Sequence, residues 1–227
     1  MGVFRFKKFE VVNERSAMKV NTDGVLLGAA MTILPSDRTM LDVGTGTGTI
    51  ALMAAQRLSS VILNEVKNPR IDAIDIDEAS ASEASANFIN SPWNSILKAH
   101  HLPLEEFAAS TETVYDLIFS NPPYFEDSLQ APEQRRNDSR HTSTGLSYRE
   151  LLDFAKERLS ENGRISLVLP AETEAPLTRH ARMCGLHLFR IVRVRTVPRK
   201  QPIRIIAEFS FERCPSPSDE TLIIQSE

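Results

Sequence analysis

Two cysteines, Cys184 and Cys214, are all that the 227 residues contain, and they form neither a metal-binding spacing nor a disulfide framework. Their scarcity points to reduced thiols in a cytosolic protein. Long apolar runs are also missing. The longest, Gly24 to Leu34, falls short of the roughly 20 residues that a membrane span needs. No apolar signal core follows the first residues, and Phe6 stands where a myristoylation motif would require Ser or Thr. No internal repeat is present. These absences lead to the expectation of a soluble, cytoplasmic protein without membrane association.

What is present is enough for a core. At 41% hydrophobic, the chain can bury one domain of ordinary to large size, so residues 1–227 are expected to form a single domain. The formal net charge of −4 argues against a simple polycation. The total conceals an asymmetry: Arg179 to Arg204 holds eight Lys or Arg and no Asp or Glu. Such a block suits either a polyanion or an ordinary solvated face.

Strand-like and helix-like runs alternate after a basic N-terminal segment, 1–38. MLDVG (40–44), IDAIDI (71–76), SILKAH, VYDLIFS and RISLVLP read as strands, while 49–58, 78–90, 148–159 and 173–184 read as helices. Ser147 and Gly163 are expected to start and close the third helix, and Gly185 to stop the last. HLFRIVRVRTV and IRIIAEFSFE read as a terminal antiparallel pair. This order predicts an α/β fold with a doubly wound, mostly parallel, seven-stranded sheet. Two segments interrupt it: residues 59–70, read as a surface insertion, and the polar stretch 126–145, read as a mobile loop near a site or as plain disorder.

The chemistry gathers at predicted strand ends. LDVGTGTGTIAL places Asp42, Gly44, Gly46 and Gly48 between the first strand and first helix, where glycines allow a sharp turn and close approach to a ligand. Alone, such a turn is weak evidence. Asp75, at the end of the second strand, adds a carboxylate able to accept from both hydroxyls of a ribose. DLIFSNPPYF then ends a buried strand in Asn121, Pro122, Pro123 and Tyr124, and the two prolines remove two backbone donors and hold the chain extended. His100 and His101 read as packing or surface residues, since no third ligand lies at a suitable spacing, and no metal is expected.

The glycine turn with its two acids resembles the S-adenosylmethionine site of class I methyltransferases. NPPY resembles the (D/N/S)PP(Y/F/W) signature of those that methylate planar nitrogens. The resemblance implies Rossmann-like architecture and S-adenosylmethionine as cofactor, leaving as S-adenosylhomocysteine. Glycines near Asp42 would pass under the methionine half, Asp75 would hold the ribose, and Ile76 would pack on the adenine. Where many relatives place an acid for the cofactor's adenine amino group this chain has Pro103, so the Leu102 backbone is the expected substitute. Asn121 and the Pro122 carbonyl would accept the hydrogens of the target amine, and Tyr124 would stack on the base.

NPPY by itself does not distinguish adenine in DNA or RNA from protein glutamine. The start, FRFKKFEVVNERSAMKVNTDGVLLGA, resembles the bacterial tRNA(Val) adenine-37 N6-methyltransferases, as do IALMAAQR, SPWNSILKAHH and VPRKQPIR. This family implies N6-methylation of the adenine next to the anticodon. Lys19, Thr22 and Asp23 would then lie beside the methionine end of the cofactor, with Asp23 equally suited to cap a helix from Gly24. Lys7, Lys8, Phe125, Arg140, His141, Arg193, Arg195, Arg199, Lys200 and Arg204 would hold the tRNA. Other adenine acceptors, a glutamine acceptor, and an RNA-binding module without catalysis remain as alternatives. No protein partner is implied beyond a monomer or weak dimer.

Overall fold

Thr39–Val43 (β3) has every inner residue buried, and Met40 faces one layer of helices while Leu41 and Val43 face the other. The same alternation recurs in Tyr115–Ser120 (β6), where Leu117 and Phe119 lie on one side of the sheet and Ile118 on the opposite side. Strands covered on both faces in this way are apolar throughout, which explains the continuous runs in the sequence. The computed structural model describes residues 2–61, 69–123 and 146–225.

In chain order the other elements are β1 (Val3–Arg5), β2 (Glu10–Val12), α1 (Thr22–Ala30), α2 (Thr49–Val61), β4 (Arg70–Asp75), α3 (Glu78–Ile89), β5 (Leu97–His101) and α4 (Leu104–Ser110). Beyond β6 come α5 (Tyr148–Arg158), β7 (Leu159–Pro170), α6 (Glu174–Met183), β8 (His187–Arg195), β9 (Arg204–Ser210) and β10 (Ser218–Ile223). The main sheet has the order β10-β8-β9-β7-β6-β3-β4-β5, with β9 alone antiparallel to its neighbours. Side chains of α1, α2 and α3 pack on one face, and those of α4, α5 and α6 on the other. The chain winds outward from β3 through β4 to β5, then returns to β6 on the opposite side. The crevice between β3 and β6 is therefore the topological switch point, where sheets of this kind place ligands.

The expected parallel sheet and terminal antiparallel pair are present, with local differences. The sheet has eight strands rather than seven, because Ser218–Ile223 adds a parallel edge strand to β8. Its SDETLI sequence is exposed and charged, so it gives no alternating apolar signal. α2 runs to Val61, so the first residues of the expected 59–70 insertion continue a helix; residues 62–68 lie outside the described residues. Ser147 does start α5, in a capping box with Glu150. Gly163 does not close that helix. Leu159 already begins β7, and Gly163 falls between the Tyr115 and Leu117 pairings, where the register shifts. Gly185 stops α6 with φ +78°, and Leu186 donates back to the Ala181 carbonyl. The basic N-terminal segment contains the two-stranded ribbon β1–β2, unforeseen because its strands have three residues each.

Candidate active site

Two loops meet at the switch point. β3 leads into Gly44–Gly48, and β6 leads into Asn121, with Ser120 donating its hydroxyl to the Val43 carbonyl at 2.6 Å and locking the two strand ends together. Three positive-φ glycines, Gly44, Gly46 and Gly48, shape the first loop, and the last two face different neighbours. Gly46 (φ +56°) faces the N-terminal segment, where a Cβ would lie 3.4 Å from the Met18 carbonyl oxygen. Gly48 (φ +80°) lies under the Phe88 ring, which a Cβ would meet at 2.5 Å. Gly48 is thus needed for packing α3 against the loop, whereas Gly46 borders the cavity.

Asp42 is fully buried below this loop. Its Oδ2 accepts from the Thr45 hydroxyl at 2.7 Å, while Oδ1 has no hydrogen-bond partner. Burial pushes its carboxyl up to about 7, against the lowering influence of the Thr45 hydroxyl and the Ala51 amide, with nearby Asp75 adding to the rise. Asp75, at the end of β4, accepts from the Gly46 amide at 2.8 Å and the Asp77 amide at 2.9 Å. Burial raises its pKa too, the two amides opposing. An ionised carboxylate has about four lone-pair sites, so Asp75 retains capacity for two hydroxyls. Ile76 follows it at 68% exposure, a large apolar side chain held at the edge of the cleft.

The N-terminal segment closes this crevice. Glu83, on α3 and fully buried, accepts from the amides of Glu14 (2.6 Å), Arg15 (2.5 Å) and Ser16 (2.9 Å). That clamp delivers Met18 to Asn21 over the glycine loop and Asn121. A cavity of about 20 Å³ remains between them, lined by Met18, Lys19, Asn21, Gly46, Thr47 and Asn121 among others. It has room for about one water, whereas small-molecule sites run to several hundred Å³. A larger depression of about 820 Å³ lies against α6, lined by Glu172, Thr178, Arg179 and Arg182, and no expected site residue borders it.

The donor set fits S-adenosylmethionine. The Asp75 carboxylate has spare acceptors for a ribose, Ile76 offers an exposed apolar side chain beside it, and Gly46 gives backbone access without a Cβ. The Methyltransferase small domain family matches residues 16–182. The tRNA1(Val) (adenine(37)-N6)-methyltransferase of Parabacteroides distasonis is 41% identical over 99% of this chain and 90% of its own length. That of Flavobacterium psychrophilum is 39% identical over 92% of this chain and 85% of its own. The chain belongs to this methyltransferase family. Among solved structures, the precorrin-6y C5,15-methyltransferase of Geobacter metallireducens shares the fold, with a TM-score of 0.53 at 15% identity, covering 88% of this chain and 92% of that one.

Not every expected residue of the methyltransferase site is where the sequence suggested. Lys19 lines the cavity, its ammonium donating to the Glu14 carbonyl at 2.5 Å. Thr22 opens α1 but does not line the cavity. Asp23 does not cap α1. Asn21 does so, through Oδ1 and the Gly24 amide at 2.8 Å, while Asp23 pairs with Arg204 at 2.9 Å. The Leu102 amide is already taken by the Asp75 carbonyl at 3.1 Å, which leaves its carbonyl as the contact suited to an amino group. His100 and His101 diverge, to Asp72 and to the Ile76 carbonyl, so they form no metal pair. Unforeseen instead is a contact between helices in which Asp153 accepts from the Cys184 thiol at 3.2 Å and bonds His180 at 2.9 Å. The i, i+4 spacing of His180 and Cys184 was visible, but nothing in the sequence joined Asp153 to them.

The expected RNA-contacting residues divide as well. β8 runs in the direction of the parallel strands, so the turn after it, with Arg199 and Lys200 exposed, lies at the same carboxyl end of the sheet as Asn121. Lys7 and Lys8 are exposed between β1 and β2. Arg195 is half-buried, donating to the Pro198 carbonyl at 3.2 Å. Arg193 is committed to Glu174 (2.6 Å) and Asp219 (3.0 Å), and Arg204 to Asp23, so neither presents a simple free charge. Tyr124, Phe125, Arg140, His141 and the 126–145 stretch lie outside the described residues. Among the described residues no helix is long and apolar enough to cross a membrane.

Proposed function

We propose that this methyltransferase acts with S-adenosylmethionine on N6 of adenine 37, beside the anticodon of tRNA(Val). The observation that carries the reading is the Asn121-Pro122-Pro123 stretch, with Asn121 and Pro122 buried, next to the glycine loop at the switch point, in a chain of this family. The whole chain serves as one domain, and the protein works in the cytoplasm. The activity needs no metal.

Bound S-adenosylmethionine supplies an electrophilic methyl group on a cationic sulfur. Asp42, beneath the glycine loop, would hold that loop in place through the Thr45 hydroxyl, Asp75 would accept from the ribose hydroxyls, and Ile76 would give an apolar surface to the adenine ring. An exocyclic adenine amine is a weak nucleophile because its lone pair is delocalised into the ring. The Asn121 side-chain oxygen and the Pro122 carbonyl each accept one amine hydrogen, which favours the geometry with the lone pair directed outward for attack. Pro122 and Pro123 have no N–H, so this turn cannot offer backbone donors to a group that needs acceptors. Tyr124 stacks on the base once it has left its helical stack. No side-chain base is required, because the nitrogen is cationic once methylated and would then give its proton to solvent water. The residues act chiefly by alignment.

Lys7, Lys8, Arg195, Arg199 and Lys200 hold the tRNA backbone, a contact that sets position rather than sequence. The test is a competition among acceptors with methyl-labelled cofactor: unmodified tRNA, ribosomal RNA, DNA and release factor in separate reactions. Label in tRNA as N6-methyladenosine supports the reading. Label in any of the others, with tRNA unlabelled, overturns it.

A further inference from the structure

A carboxamide can present either its oxygen or its nitrogen to a ligand, and only the oxygen serves an amine. What fixes that choice at Asn121 is 100 positions away in sequence. Asn121 Nδ2 donates to Asn21 Oδ1 at 3.3 Å and lies 3.8 Å from Met18 Sδ, a weak acceptor on the same side. The orientation of Asn21 is itself set from both ends. Its Oδ1 receives the Gly24 amide at 2.8 Å, and its Nδ2 donates to the Lys19 carbonyl at 3.2 Å. A backbone amide only donates and a carbonyl only accepts, so exchanging O and N in Asn21 would break both bonds. With Asn21 fixed, a donor must face it, and that donor is Asn121 Nδ2. Oδ1 of Asn121 is then the end turned away from Asn21.

We propose that Asn21 is the positioning residue that makes Asn121 an acceptor, and so selects an amine as the group methylated. The proposal rests on the adenine-N6 reading above. Asn21 therefore has two roles. It caps α1, a structural role that many residues can fill, and it orients a side chain of the site, which needs an acceptor of this length.

Substitutions separate the two. Ser is a good N-cap but too short to reach Asn121, whereas Asp keeps a full-length acceptor for both the Gly24 amide and Asn121 and gives up only the bond to the Lys19 carbonyl. With unmodified tRNA and saturating cofactor, Asn21→Ser should lower kcat about 10- to 100-fold, in line with the loss of one aligned catalytic contact. KM for tRNA and the midpoint of thermal unfolding should stay close to wild type. Asn21→Asp should recover most of the lost turnover. Full turnover in Asn21→Ser, or equal damage in both variants, would overturn the proposal.

A second readout does not depend on activity. The side-chain amide of Asn121, assigned in nitrogen-15 spectra by its disappearance in Asn121→Ala, should move on Asn21→Ser and not merely broaden with its neighbours. If wild-type protein fails to methylate tRNA yet this resonance moves as expected, the substrate reading fails and the orientation stands. An unmoved resonance sinks the orientation whatever the substrate.

Discussion

Gly48 lies directly beneath the ring of Phe88, with space for a hydrogen and none for a methyl group. At φ +80° an L side chain is strained in any case, and an added Cβ would stand 2.5 Å from Phe88 Cε1. Gly48→Ala should therefore cost about 2–4 kcal/mol, combining left-handed strain with overpacking. Urea unfolding measures it, and a loss below roughly 1 kcal/mol would mean that the loop shifts without penalty.

Glu83 holds the N-terminal segment by three consecutive amides. In Glu83→Ala those donors lose their acceptor, for an expected loss of about 2–4 kcal/mol. Because the same segment carries Lys19 and Asn21 to the site, cofactor affinity should fall with stability. Proteolytic nicking near residues 14–16 should also become faster. Unchanged affinity for S-adenosylmethionine by calorimetry would show that the segment reaches the site without the clamp.

Asp42 makes stability depend on pH in an identifiable direction. Its pKa in the folded protein is about 7, above the ordinary 3.8, so folding favours the protonated form. Its contribution is fully present below the unfolded value and is lost as pH rises toward and through about 7. Asp42→Asn should flatten that decline. Unfolding free energies measured across pH 4 to 8 should therefore converge on, or cross, those of the wild type as pH rises. Parallel curves would contradict the assignment.

The basic block should behave as two populations. Lys200→Glu should weaken tRNA binding and reduce the slope of log affinity against log salt by roughly one to two. Arg193→Ala should leave tRNA affinity within about two-fold while costing on the order of 0.5–1.5 kcal/mol of stability, since its guanidinium is held by Glu174 and Asp219. Fluorescence anisotropy over a salt series separates the two effects. Equal losses of affinity would show that Arg193 leaves its partners for the RNA.

The strand ends were legible in the sequence because their chemistry is local. Asp42 with its glycines, Asp75, and Asn121 with its prolines are each read from a few adjacent residues. The contacts that organise them are not local. Nothing in ASASEASANF marks Glu83 as a buried anchor for residues 14–16, and nothing in KVNTDG marks Asn21 rather than Asp23 as the cap that also reaches Asn121. Short or polar elements escaped for a different reason. β1, β2 and the edge strand SDETLI bury too few side chains to leave a period, so pairing rather than pattern defines them. Arg193 and Arg204 were expected to hold the tRNA because their partners, Glu174, Asp219 and Asp23, are supplied by other elements and leave no local signal.

Methyl transfer is directed to one nitrogen of one nucleotide in this account of the site. The most direct measurement is mass-spectrometric mapping of unmodified tRNA after incubation with the purified protein and labelled S-adenosylmethionine, with Asn121→Ala in parallel. N6-methyladenosine at position 37 of tRNA(Val), nearly absent with Asn121→Ala although that variant still binds cofactor within a few fold, is the predicted result. Label at another position, on another atom, or undiminished in Asn121→Ala would contradict it.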